Sequence, residues 1–319
     1  MAGMLTRALV AALLLLLAGC GDNRQEQVAA QINKYSQLSE SRIASLGEQL
    51  QQGSIRNAML LEHYAGLLES QKPALAPLVK QLALDAGTDG ALYGSLKRRL
   101  EEAKDPANFI DEETRLQELE NLYQAADPAL YNDLLSDPVN VLADMSDGQL
   151  ARVNAISRES ESLANGADDL GPGSQLVGNP AYGQWQTNSN GTSFWAWYGM
   201  YSMFSNLFNR PVYYDNWSRG RNYSYYHDVG RYRYSSPRDV LQQDRVFQQE
   251  KKRFDSQGKR FDSPYAKTRS GASGLSRQSS QAPSSRPSAE KPKFRSNYGK
   301  DSSFRDSRSR TTRSVRRGK

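Results

Sequence analysis

The chain of 319 residues has a single cysteine, Cys20, and two histidines, His63 and His227. One cysteine excludes any disulfide within a chain and any zinc site built from several thiolates. Two histidines argue against a multi-histidine metal centre. Apolar runs are short as well. The longest, from Ala8 to Leu16, falls below the ~20 apolar residues that cross a bilayer as a helix. Motifs of catalysis are also missing. The sequence contains no His-Glu-x-x-His, no Gly-x-Ser-x-Gly and no phosphate-binding glycine loop. The pair Glu62-His63 points in directions ~100° apart on a helix and does not make a ready dyad, and His227-Asp228 stands among tyrosines, where packing is the expected role. Neither a cofactor nor a metal is expected. A pair of carboxylates converging in space, as in a cell-wall hydrolase, is the one enzymatic option that spacing alone does not reveal.

What is present begins at the N-terminus. Arg7, the apolar stretch from Ala8 to Leu16 and the small residues that follow have the layout of a secretory signal. Leu17-Ala18-Gly19-Cys20 resembles the lipobox of bacterial lipoproteins. The resemblance implies removal of residues 1–19, a diacylglyceryl thioether on Cys20 and acylation of the new N-terminus. Stable anchoring takes about two acyl chains, which such a group supplies. The implied setting is the cell envelope, with the chain facing the periplasm. In the sorting rules of that family Gly21 leans toward the outer membrane over the inner, and Asp22 weakens the lean.

Charge divides the chain. From Cys20 to Leu170 there are 13 Lys+Arg against 25 Asp+Glu, whereas from Gly171 to Lys319 there are 27 against 10. Such asymmetry points to parts with different partners. The acidic part, 20–164, reads as helix. Val28, Ile32, Tyr35, Ile43, Leu46 and Leu50 recur near a 3.6-residue period, and Gly53 stops them. Further stripes follow at Ile55–Leu68, Leu75–Leu84, Leu92–Leu100 and Leu116–Tyr123. Asp105-Pro106, Asp127-Pro128 and Asp137-Pro138 each place an N-cap before a proline at the first helical position, and Asp147 is a candidate cap for a helix carrying Leu150, Val153 and Ile156. The expected fold is mainly α: short antiparallel helical hairpins or a bundle, then an aromatic-rich irregular segment and a disordered basic tail.

Residues 165–191, rich in Gly, Asn and Ser, read as a linker. In the aromatic segment, 192–234, the stretch from Phe194 to Tyr234 holds 15 aromatic residues in 41. Phe194, Trp197, Tyr201, Phe204 and Phe208 step by three or four, so as a helix they share one face. That face either lies against the bilayer or a partner, or packs on the acidic helices as core. Arginines among tyrosines suit stacking, and glycan rings are one ligand of that chemistry. Basic aromatic segments also mark nucleic-acid binding, but an exported chain meets little nucleic acid, and none is expected as a partner. A polar basic helix is expected over 235–262. Beyond it, 263–319 is Ser, Arg, Lys, Pro and Gly with almost no aliphatic residues and is expected to be disordered.

A small repeat crosses this boundary. Lys252-Arg253-Phe254-Asp255-Ser256 recurs as Lys259-Arg260-Phe261-Asp262-Ser263, with weaker echoes at Phe294-Arg295-Ser296 and Phe304-Arg305-Asp306-Ser307. It reads either as a set of short docking motifs or as drift in a low-complexity tail. The cations of the tail (Arg305, Arg308, Arg310, Arg313, Arg316 and Arg317) are candidates for contact with anionic lipid, lipopolysaccharide or peptidoglycan. The expected function is that of a non-enzymatic lipoprotein, held to the bilayer through acylated Cys20, whose aromatic and basic regions bind an anionic envelope surface or a protein partner. A helical-repeat-like adaptor that scaffolds a periplasmic or inner-membrane complex is the alternative, although no repeated signature at a fixed period of ~34 residues is visible.

Overall fold

In the computed structural model the described residues are 2–154, 170–208 and 210–265, with side chains described from Arg24 onward. The chain divides into two units, Met1–Ala282 and Pro283–Lys319; the second lies wholly outside the described residues.

The fold is mainly α-helical. Helices α1 (Ala2–Gln51), α2 (Arg56–Gln71), α3 (Ala76–Ala83), α4 (Ala91–Lys104), α5 (Glu112–Ala125), α6 (Pro128–Leu134) and α7 (Ser136–Met145) form the body. The stripe of α1 turns inward as its spacing requires, with Ile32, Ile43, Leu46 and Leu50 buried and Val28 and Tyr35 packed at the margin. Gly53 adopts φ +65 just past its end, a left-handed stop that glycine takes without strain. Helix α1 lies against α4 and α5, and α2 against α3, α6 and α7. Helix α7 is the hub of this arrangement, since nine of its ten residues are buried.

Capping follows the sequence at several ends. The Asp127 carboxylate accepts from the Ala129 and Leu130 amides, Asp105 from Ala107, and Asp111 from Thr114 at 2.7 Å. Helix α4 is capped from a distance. Its N-cap position is Gly90, which has no side chain to offer, and buried Asp85 accepts instead from the Leu92 amide at 3.1 Å.

After the body come a two-stranded antiparallel sheet, β1 (Gly183–Thr187) with β2 (Ser193–Trp197), then α8 (Phe204–Phe208), α9 (Tyr214–Gly220) and α10 (Pro237–Ser256). The turn between the strands is set by Asn188, whose side-chain oxygen accepts from the Asn190 and Thr192 amides, and by Gly191 at φ +73. In register, Trp185 faces Trp195 across the ladder, with the rings 5.2 Å apart edge to face. The outer edge of β2 is bridged to Tyr213, and the Trp195 amide donates to the Val212 carbonyl. Helix α10 opens with a reciprocal capping box between Ser236 and Asp239.

Four expectations are corrected. The single helical face over 194–208 does not form. Phe194 and Trp197 belong to β2, Tyr201 to a 3₁₀ turn at Gly199–Met203, and Phe204 and Phe208 to α8. Inward Ser193 and Trp195 have the two-residue period of a strand, and its partner lies across a turn that helical spacing does not register. The described part of the linker, 170–191, is no free spacer, because residues 173–179 are all buried. Among the described residues Asp147 caps no helix. It sits at φ +55 and pairs with Lys72 at 2.5 Å, while the chain from Leu150 to Asn154 is irregular; Ile156 lies outside the described residues. Asp137 lies inside α7 and does not cap it.

One hydrophobic core joins the two parts of the sequence. Leu46, Leu61, Leu78, Tyr131 and Leu142 of the helices share it with Leu176, Tyr182, Tyr201, Phe204, Tyr225, Tyr226 and Tyr234. A second, smaller cluster gathers Val177, Trp185, Trp195, Val212, Tyr214, Trp217 and Val246. Gly178, between these clusters, is at φ +88, and an added Cβ would stand 2.8 Å from the His227 ring and 3.0 Å from Trp217. Gly178→Ala combines a left-handed backbone with overpacking and is expected to destabilise by ~2–4 kcal/mol. Urea unfolding followed by tryptophan fluorescence reads this, and a midpoint equal to wild type would contradict the packing described.

Candidate functional site

Of the residues expected to carry function, Cys20 lies on the backbone of α1, and its side chain is outside the described residues. The same is true of Arg305, Arg308, Arg310, Arg313, Arg316 and Arg317, and of the repeat echoes at 294 and 304, all of which lie outside the described residues. The five aromatic candidates do not form one exposed face. Tyr201 and Phe204 are core residues, 4% and 0% exposed. Phe194, Trp197 and Phe208 are half-buried, with Trp197 stacked against Phe204 at 4.9 Å and Phe208 at 6.2 Å. The two complete copies of the repeat meet each other: Phe261 packs edge-on against Phe254 at 5.4 Å and against Phe247 at 5.3 Å. Their rings fold the chain after α10 back upon that helix.

What joins the aromatic segment to the helices is a set of buried acids. Asp137 of α7 accepts from the Tyr225 amide at 2.8 Å, the Tyr226 amide at 2.9 Å and the Ser224 hydroxyl at 2.9 Å. It thereby serves as the N-terminal cap of the turn at Tyr226–Gly230. Asp85 accepts from the Tyr182 hydroxyl at 2.8 Å on its other oxygen. From the same helix as Asp137, Asp144 accepts from the Gln175 amide group at 2.6 Å. Deeper in, Arg99 forks onto both oxygens of Glu118 at 2.7 and 2.9 Å and donates to the Arg233 carbonyl at 2.9 Å. Arg221 holds both oxygens of Asp228 and donates through Nε to the Pro264 carbonyl, tying down the strap that follows α10. Local sequence carries no signal for these pairs, since their members stand from 7 to 134 positions apart.

The two histidines divide as their surroundings dictate. His63 is exposed, while His227 is buried between Trp217 and Tyr226, with its Nε2 2.7 Å from the Val177 carbonyl. A carbonyl only accepts, so Nε2 carries the proton. Burial, with Arg221 and Arg231 nearby, holds the imidazole neutral well below its ordinary range. Among the described residues no group of three or more His, Cys, Asp or Glu is placed to hold a metal ion, and no helix is long and apolar enough to cross a membrane. No protein-family model, no curated protein and no solved structure matches this chain.

The acids make stability depend on pH. Burial raises the carboxyl groups of Asp85 and Asp133 to about 6 and that of Asp137 to about 7. Their folded values lie above the unfolded value, so the native state binds more protons in this interval and stability falls as pH rises through 6 and 7. His227 works the other way, its contribution being lost as pH falls through the unfolded value of ~6.5. These three acids, together with Glu118, which burial also raises, oppose the one histidine. The urea midpoint is expected to be higher at pH 5.5 than at pH 8, and Asp137→Asn to flatten the upper part of that slope. A midpoint that rises from pH 5.5 to 8 would contradict this balance.

One open concavity lies on the surface of the aromatic part. It measures about 350 Å³ and is bounded by Pro172, Leu207, Phe208, Arg210, Tyr213 and Asn216. Leu170 and Val212 form its buried apolar floor. Arg210 is exposed beside it and makes no ion pair with any described residue.

Proposed function

We propose that the chain is a non-enzymatic lipoprotein of a bacterial cell envelope, tethered through an acylated Cys20 and facing the periplasm. Its folded body stands near the bilayer, and its basic tail engages an anionic envelope surface. The single observation that carries the reading is Leu17-Ala18-Gly19-Cys20 at the end of a short apolar run, with no other cysteine in the chain. Helix α1 supports it by continuing from that cysteine into the body. Among its described side chains the first buried one is Ile32, and at ~1.5 Å per residue the intervening helix holds the body about 18 Å from the anchor. With Tyr201 and Phe204 committed to the core, the tail is the better candidate for the anionic surface. Each Lys or Arg near such a surface contributes about 1 kcal/mol, screened by salt.

Deletion of Ser270 to Lys319 tests the tail. Full-length protein is expected to sediment with peptidoglycan or with vesicles containing anionic lipid, and to be released at high salt. The truncated chain should stay in the supernatant at every salt concentration. Equal sedimentation of the two would remove the role of the tail.

An adaptor role draws on a different observation. Ile110 is 85% exposed, and Tyr232 and Leu241 also stand out from the surface. A partner captured through such residues would survive high salt and be lost with Ile110→Asp, which separates the two readings.

A further inference from the structure

We propose that the concavity beside β2 and α9 binds an anionic saccharide. The inference deepens the envelope reading and rests on it, since the polymers of that compartment are rich in sugars that bear carboxylates. The volume of about 350 Å³ falls at the low end of small-molecule sites, ~300–1,000 Å³. Its chemistry is mixed in a specific way. Half-buried Phe208 and Tyr213 line it with aromatic surface, against which the C–H face of a pyranose packs. The Oδ1 of Asn216 already accepts from Arg219 at 3.2 Å, which turns its amide N–H groups toward donation to hydroxyl or acetamido oxygens. Arg210 adds a planar fork of donors that fits a carboxylate in two parallel hydrogen bonds.

Charge favours the same class. Among the described residues that line the groove there is one cation and no acid, on a chain whose preceding part is strongly acidic. Arg210 is exposed and unpaired among the described residues, so no internal partner need be displaced when a carboxylate arrives. A free acyl chain would leave Arg210 and Asn216 unsatisfied, and a bare phosphate would make no use of the rings. A sugar ring carrying one carboxylate uses all four groups at once.

The test uses the full-length acylated protein in detergent micelles, with Cys20 acylation read by mass spectrometry on the same sample. Three probes are titrated by calorimetry and by saturation-transfer NMR: a muramic-acid-containing disaccharide, a keto-deoxy-octulosonate, and the neutral N-acetylglucosamine disaccharide. Saturable binding of an acidic probe is expected, about tenfold or more tighter than the neutral one. Whichever acidic probe binds identifies the source as cell wall or lipopolysaccharide. Arg210→Ala and Asn216→Ala should each weaken binding about tenfold with an unchanged far-UV spectrum, and Arg210→Lys should fall between Arg210→Ala and wild type. Absence of saturation with both acidic probes, equal affinity for the neutral one, or indifference to Arg210→Ala overturns the proposal. Failure with Cys20 acylated sinks the groove alone, whereas an unmodified Cys20 sinks the envelope reading.

Discussion

Asp137→Ala is expected to destabilise the protein by ~3–5 kcal/mol and to unfold the helices and the aromatic segment in one transition. The substitution removes a single acceptor and strands three buried donors: the Tyr225 and Tyr226 amides and the Ser224 hydroxyl. Each buried group left without a partner costs about 1–3 kcal/mol, and partial relaxation keeps the total below the sum of the maxima. Asp137→Asn retains a carbonyl oxygen of nearly the same shape and should cost only about 1–2 kcal/mol. The check is urea unfolding followed by far-UV circular dichroism and by tryptophan fluorescence. The first probe reads mostly α1–α7, and the second reads Trp185, Trp195, Trp197 and Trp217. Coincident transitions, both shifted in the variant, are the expected result. If fluorescence changes first and circular dichroism is unaffected, the aromatic segment is an independent domain and the shared core described here is wrong.

Arg99→Ala should be of similar size, ~3–5 kcal/mol, for a different reason. Arg99 and Glu118 are 1% and 2% exposed, and the pair is bidentate. Burial raises the Glu118 carboxyl, and the Arg99 charge works against that rise. Removing the guanidinium leaves a carboxylate in the interior with no counter-charge at hand, and it strands the Arg233 carbonyl. The double variant Arg99→Met with Glu118→Leu removes both charges while keeping the volume, and should recover most of the loss. If the double variant is as unstable as Arg99→Ala, packing around Arg99 and not its charge is what matters. Exposed pairs such as Arg24 with Glu113 serve as the control, because breaking them should move the midpoint little.

These two effects lie where reading the sequence alone is weakest. Helices α1, α4 and α5 are legible because their apolar stripes are local, and Gly53 and Asp127 mark the end of α1 and the start of α6. The spacing from Phe194 to Phe208 is equally local but misleads. Aromatic residues fit a half-buried strand as well as a helix face, and Gly183–Thr187, which decides between them, lies across a turn. Asp137-Pro138 reads as a cap from its neighbours, yet its carboxylate is claimed by amides almost ninety positions away. Asp85 shows the converse case: Gly90 offers nothing at the start of α4, and the cap is supplied from five residues upstream. The linker expected over 165–191 is, in its described part from residue 170, largely buried, because Gly, Asn and Ser serve tight buried turns as well as open ones, as Asn179 and Gly178 do here. Among the candidate functional residues, Cys20 and the arginine tail are read from composition and motif. The groove depends on Phe208, Arg210, Tyr213 and Asn216 coming together, and no local pattern announces that.

Anchoring, setting and partners all depend on the thioether proposed at Cys20. Its most direct measurement is mass spectrometry of the N-terminal peptide of the protein expressed in a Gram-negative bacterium and recovered from membranes. The expected spectrum begins at Cys20 and carries the mass of a diacylglyceryl group plus one amide-linked acyl chain; Cys20→Ala should abolish both the added mass and the membrane recovery. A peptide that still contains residues 1–19 with a free thiol, from protein found in the cytosol, would contradict the account.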